Sequence, residues 1–126
     1  MALALFVAVA LAYQASPKRD LLDAKYALLT SEALLRAGSW DLAPYLPGVA
    51  ARLGNPAKGR SLWQLRAVGD EILYLYPPGT PLLATAPLAI LRLGGATTLD
   101  ARGRYDARRE LWLQELVAAL FGATAV

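Results

Sequence analysis

Few residue types in this chain can carry acid–base chemistry. The 126 residues include no histidine and no cysteine, which excludes Ser-His-Asp mechanisms, cysteine nucleophiles and zinc–thiolate sites. Such chemistry must therefore rest on Asp, Glu, Tyr or Lys. Asp20 and Asp23 lie three residues apart at the start of a predicted helix, so their side chains project on neighbouring lines of its surface. This pair fits either a catalytic carboxylate or charges that compensate the helix dipole.

Basic and aromatic side chains form the other candidate sites. Arg102, Arg104, Arg108 and Arg109 precede a hydrophobic stretch, where they fit either a membrane-flanking anchor or a contact with phosphate or an anionic headgroup. Aromatic residues recur in the middle of the chain, where they fit either packing anchors or a ligand platform: Trp40, Tyr45, Trp63, Tyr74 and Tyr76.

Several classes of site are not expected. Gly94-Gly95 lacks the preceding strand and the spacing of a phosphate-binding loop, and the sequence offers no cluster of metal ligands. The formal net charge is only +3, whereas a nucleic-acid-binding protein usually shows a denser basic patch. We therefore expect no metal, no cofactor and no nucleic-acid partner.

The composition favours a membrane-associated protein. Apolar residues make up 56% and charged residues 18% of the chain, against roughly 45–50% and about 25% in average globular proteins. The excess lies in blocks. Met1–Tyr13 contains no polar residue before Tyr13, and it fits a signal-peptide core, a buried helix or the end of a spanning helix. Tyr105–Val126 ends on an uncharged run, which favours a second spanning helix that begins near Trp112.

The elements between these blocks follow from local signals. Alternating apolar residues on either side of Gly69-Asp70 predict a hairpin near Leu62–Tyr76, and Pro–Gly-rich sequence before it allows one helical turn near Val49–Leu53. Periodicity and capping residues predict the helices, at Ala2–Gln14, Asp20–Ala37, Pro81–Leu93 and Tyr105–Ala123.

These elements predict a mostly α, membrane-associated fold in which two apolar helices flank a loop region. The predicted segments are a spanning or signal-like helix at 1–15, an extracytoplasmic region at 16–104 with an interfacial helix at 81–93, and a second spanning helix that begins at 105–126. The loop region would hold one helix, the short β-hairpin and the interfacial helix.

Two segments of this sequence resemble the first extracytoplasmic loop of bacterial GT-C superfamily glycosyltransferases, which include protein mannosyltransferase-like and aminoarabinose transferase-like enzymes. They are DAKYALLTSEALLRAGSWDLAPY (Asp23–Tyr45) and GDEILYLYPPGTPLLATAPLAIL (Gly69–Leu91). In that family a spanning helix, a loop with an essential Asp, a Tyr-rich segment, a Pro-Pro-Gly-Thr/Ser turn and an apolar surface helix follow in this order. The resemblance covers nearly the whole chain, but only the N-terminal part of the family.

The resemblance implies a function and a location. It implies the N-terminal part of an integral-membrane enzyme that moves a sugar from a polyprenyl-phosphate donor to an acceptor. Asp23 would be the general base, with Asp20 in reserve. Tyr74, Tyr76, Arg104 and Arg108 would bind substrate. The lipid bilayer would be a partner. Residues 20–104 would lie on the extracytoplasmic side of the inner membrane of a bacterium, although Lys18, Arg19 and Lys25 favour the opposite orientation. The alternative is a small exported or membrane-anchored helical protein without enzymatic activity.

Overall fold

The computed structural model describes residues 24–53 and 62–124, together with helical backbone at residues 4, 7, 8, 11 and 12. Helices and one hairpin follow each other in the described part of the chain. They are α1 (Ala27–Ala37), a 3-10 turn (Ala43–Tyr45), α2 (Val49–Leu53), β1 (Leu65–Val68), β2 (Glu71–Tyr74), α3 (Gly79–Leu93) and α4 (Ala107–Thr124).

The expected architecture of two apolar membrane helices around a loop region is wrong. The described residues form a mixed fold of helices and a small two-stranded sheet. Among them, no helix combines the length and the apolar character that a membrane crossing requires. The physical reason at the C-terminal end is that α4 carries Arg108, Arg109, Glu110 and Glu115 within its first nine residues. One of these, Glu110, is fully buried in protein.

Helix α1 forms the centre of the fold. Every residue from Tyr26 to Ala33 is buried, so both sides of the helix meet other elements. One side joins a cluster with Leu42, Leu65 and Ile72 from the 3-10 turn and the hairpin. The other side, through Leu28, joins a second cluster, which contains Ala84 and Leu88 of α3 with Leu113 and Val117 of α4.

The start of α1 differs from the prediction. The sequence predicts a helix from Asp20, whereas the described helix begins at Ala27 and residues 24–26 form a turn. Tyr26 occupies the N-cap position with φ 70° and ψ 0°, a left-handed conformation that is uncommon for a residue with a side chain. A helix cannot continue through that conformation, so the regular helix is shorter than its apolar periodicity suggests.

The hairpin is confirmed. β1 and β2 pair antiparallel with Leu65 opposite Tyr74 and Val68 opposite Glu71, which leaves Gly69 and Asp70 as a two-residue turn. Gly69 has φ 61°, a backbone conformation that glycine adopts without steric cost. Ile72 points into the core and is 1% exposed, and this contact fixes the hairpin against α1.

Helix α3 matches its prediction within two residues and packs along α1. Its inner face is small, because Pro81, Ala84 and Leu88 are its buried residues. The Ser31 hydroxyl of α1 lies 2.7 Å from the carbonyl oxygen of Pro81, which satisfies a polar group at this contact. The outer face presents large aliphatic side chains to the surface: Leu82, Leu83, Ile90 and Leu93.

Candidate functional site

The Glu110 carboxylate holds the beginning of α1. Its Oε2 accepts a hydrogen bond from the backbone N–H of Tyr26 at 2.9 Å. Its Oε1 accepts from Leu28 at 3.0 Å and from Leu29 at 3.4 Å. The first N–H groups of any helix lack partners within that helix. Glu110 supplies those partners from α4, so a side chain distant in sequence does the work of an N-cap.

A second side chain of α4 reaches the same segment one helical turn later. Gln114 Nε2 donates a 2.7 Å hydrogen bond to the carbonyl oxygen of Ala24. Together Glu110 and Gln114 fix the backbone on both sides of Tyr26, whose left-handed conformation costs free energy. Strain of this kind persists only where the surrounding structure imposes it. We name residues 24–29 with Glu110 and Gln114 the α1 clamp.

Two tyrosines complete the surroundings of the carboxylate. The Tyr105 hydroxyl donates to Glu110 Oε2 at 2.5 Å, and the Tyr105 ring packs on the Tyr26 ring with centroids 4.9 Å apart. Burial raises the pKa of Glu110, although the hydrogen bonds from Tyr105 and from the three backbone N–H groups oppose the rise. Burial and the adjacent Glu110 also raise the pKa of Tyr105, so its hydroxyl keeps its proton and remains a donor.

An apolar groove opens beside the clamp. Its volume is about 380 Å³, within the range of about 300–1,000 Å³ that is usual for ligand sites. The groove lies between α1, α3 and α4 and begins at Ala24, the residue that directly follows Asp23 in the sequence. Apolar side chains form most of its wall, with Thr80 and Gln114 as the polar members. The apolar lining comes from Ala24, Ala27, Leu28, Leu83, Ala84, Val117, Ala118 and Phe121.

A second buried carboxylate joins α1 to the segment between α3 and α4. Glu32 is fully buried and accepts hydrogen bonds from Arg36 Nε at 2.8 Å, from the Thr98 hydroxyl at 2.7 Å and from the Thr98 N–H at 2.6 Å. The Thr97 hydroxyl donates to it as well. Burial raises the pKa of Glu32, but these four donors outweigh it and the net pKa lies below the usual value. Its role is structural, because all its neighbours are donors that hold it in place.

The two aspartates predicted as catalytic, Asp23 and Asp20, lie outside the described residues. Of the predicted substrate-binding residues, Tyr74 and Tyr76 contact each other at the end of the hairpin, with ring centroids 5.5 Å apart. Arg104 lies in the turn that Asp100 organises by accepting from the Arg104 N–H. Arg108 stands exposed in the first turn of α4, with its N–H bonded to Asp106.

Sequence reasoning missed Glu110, Gln114 and Glu32. A signal for Glu110 was available, because Glu110, Leu113 and Val117 follow the i, i+3, i+7 spacing of one helix face, and a carboxylate on an otherwise apolar face needs a buried partner. The partner itself was not predictable, since it is backbone N–H in another part of the chain.

Within residues 24–53 and 62–124, no group of His, Cys, Asp and Glu side chains is arranged to hold a metal ion. Comparison of the chain with models of known protein families, with curated proteins and with solved structures gave no significant match.

Proposed function

We propose that this chain is the N-terminal part of an integral-membrane glycosyltransferase that moves a sugar from a polyprenyl-phosphate donor to an acceptor, with Asp23 as the general base. One observation carries the proposal: the apolar groove begins at Ala24, directly after Asp23. The catalytic carboxylate and a lipid-binding wall would then be neighbours in the chain. The order of motifs along the sequence supports the same function.

The α1 clamp supports the role of Asp23. A general base must be held within hydrogen-bond reach of the proton that it removes, so its backbone must not drift. Glu110 and Gln114 fix residues 24 and 26 from α4, and this anchors the segment that begins one residue after Asp23. A carboxylate is ionised at neutral pH and needs no prior deprotonation to accept a proton.

The groove and the outer face of α3 support a lipid-linked donor and a bilayer partner. An isoprenoid chain is apolar and gains free energy by leaving water, and the groove offers it an apolar wall of Leu28, Leu83 and Phe121. On the outer face of α3, Ile90 is 69% exposed and Leu93 is 90% exposed. Side chains of this size in a row favour contact with lipid over contact with water.

The decisive experiment compares Asp23→Asn with Asp20→Asn in the product of the complete reading frame, assayed in membranes with a polyprenyl-phosphate sugar. Because general-base catalysis contributes about 10²–10⁴-fold, Asp23→Asn should lower transfer by that factor while expression is unchanged. Asp20→Asn is the matched control, since it removes the same charge three residues earlier. Equal and mild effects of both variants would refute the proposal and favour the non-enzymatic, membrane-anchored alternative.

We also propose that residues 20–104 lie on the extracytoplasmic side of a bacterial inner membrane, because the acceptor side of such a reaction faces outward in the enzymes that this sequence resembles. Reporter fusions at Asn55 in the complete reading frame test this orientation. A reporter that is active outside the cytoplasm supports it. A reporter active in the cytoplasm contradicts both the orientation and the glycosyltransferase proposal.

A further inference from the structure

We propose that a surface cleft at the end of the hairpin binds a neutral pyranose ring of a saccharide. The cleft has a volume of about 300 Å³ and is lined by Trp40, Leu73, Tyr74, Tyr76 and Pro78. It lies on a part of the fold that the proposed transfer chemistry does not use. The inference concerns recognition of a ligand and stands whether or not the chain takes part in sugar transfer.

The first wall of the cleft is fixed to the second by the residues next to Trp40. Asp41 Oδ1 accepts hydrogen bonds from the backbone N–H of Ala43 at 2.8 Å and of Ile72 at 2.9 Å. The Leu42 N–H donates to the Ile72 carbonyl at 2.9 Å. The Trp40 loop is thereby bonded to β2, the strand that contributes Leu73 and Tyr74 to the cleft. A ligand meets a site that is already formed, which lowers the entropic cost of binding.

The aromatic rings of the second wall support one another. Tyr74 and Tyr76 have ring centroids 5.5 Å apart. Trp63, which lies opposite Tyr76 if the strand register is extended by two residues, packs edge-on against it at 5.6 Å. These contacts hold the Tyr76 ring in one orientation. Trp40 is 40% exposed, so its indole face remains available to a ligand while its surroundings are anchored.

The chemistry of the lining selects the ligand class. None of the five described residues that line the cleft carries a charge, which disfavours an anionic or cationic ligand. A pyranose presents an apolar C–H face that stacks on indole and phenol rings, and hydroxyls at its edge that pair with the indole N–H and phenol O–H groups. The volume is at the lower end of the range for ligand sites and suits one such ring. A polyproline peptide repeats its contacts every three residues, ~9 Å apart, and needs a longer groove.

The test titrates the 126-residue chain with cellohexaose, maltohexaose and mannohexaose and follows the indole N–H signals by NMR. We expect at least one of the three saccharides to shift the Trp40 signal and to leave the Trp112 signal in place. Trp40→Ala should weaken that binding by about tenfold or more, the usual effect of removing one stacked ring. Trp40→Phe, which keeps a ring, should restore part of the affinity. Trp112→Ala is the matched control, because Trp112 is similarly exposed at 52% but lies on α4.

Three results would overturn the inference. The first is that none of the three saccharides shifts the Trp40 signal. The second is that Trp40→Ala and Trp112→Ala weaken binding equally, which would place the saccharide elsewhere or nowhere in particular. The third is that a proline-rich decapeptide shifts Trp40 while the saccharides do not, which would assign the cleft to peptide recognition. Circular dichroism of each variant confirms that the fold is retained.

Discussion

Glu110 and Tyr26 are separated by 84 residues in the sequence and are joined by a 2.9 Å hydrogen bond from the Tyr26 N–H to the Glu110 carboxylate. The same carboxylate also receives the N–H groups of Leu28 and Leu29. A fully buried acidic side chain on one helix therefore replaces the Ser, Thr, Asp or Asn that usually caps the start of another. The predictions that follow concern this contact, the second buried carboxylate and the exposed face of α3.

Glu110→Gln should destabilise the chain by about 2 kcal/mol, because the amide group that replaces one carboxylate oxygen would face backbone N–H donors and leave at least one of them without an acceptor. Urea denaturation followed by circular dichroism measures this loss. Glu71→Gln is the control, since Glu71 is exposed at the start of β2 and its substitution should change the free energy of unfolding by less than about 0.5 kcal/mol. Equal effects of the two substitutions would contradict the capping role of Glu110.

Glu32→Gln should remove a pH-dependent part of the stability. The pKa of Glu32 is lower in the folded chain than the ordinary value of 4.5, so the folded state binds this proton less readily than the unfolded state. Its ionised form stabilises the fold above about pH 4.5, and that contribution disappears as the pH falls through the lower folded pKa. The difference in unfolding free energy between wild type and Glu32→Gln should therefore be largest near neutral pH. It should shrink on acidification, and a constant difference from pH 7 to pH 3 would refute the prediction.

Ile90→Glu should weaken the binding of the chain to vesicles of phosphatidylcholine and phosphatidylglycerol by about tenfold or more, since burying a side chain of this size contributes ~1.5–3 kcal/mol. Vesicle co-sedimentation measures the effect. Val68→Glu places the same charge on an aliphatic side chain of the hairpin that is 51% exposed, and it should leave vesicle binding nearly unchanged. If both variants bind as the wild type does, the outer face of α3 does not contact lipid.

The elements that depend on neighbouring residues were predictable. The Gly69-Asp70 turn between alternating strands gave the hairpin, and the Thr80-Pro81 start with the Gly94-Gly95 end gave α3 within two residues. The turn of helix at Val49–Leu53 was also correct. In each case the chemistry that sets the structure lies within a few residues of it.

The parts that depend on distant contacts were not predictable. The apolar periodicity of α1 runs past Tyr26 towards Asp20, yet the regular helix begins at Ala27 because α4 supplies the cap. The uncharged C-terminal run suggested a spanning helix, although the buried Glu110 earlier in α4 ties that helix to protein. For the candidate site, the sequence indicated that tyrosines 74 and 76 would be neighbours, but it could not reveal that Trp40 faces them across the cleft.

The dependence of α1 on Glu110 also bears on the order in which the chain acquires its structure during synthesis. The N–H groups at the start of α1 emerge from the ribosome 84 residues before their acceptor does. Until α4 has been made and docked, the first turn of α1 lacks its cap and the left-handed Tyr26 lacks the contacts that hold it. Closing so long a loop costs entropy that only the completed contacts repay. The beginning of α1 therefore becomes native late, together with the helix that follows it by three elements in space but by most of the chain in time.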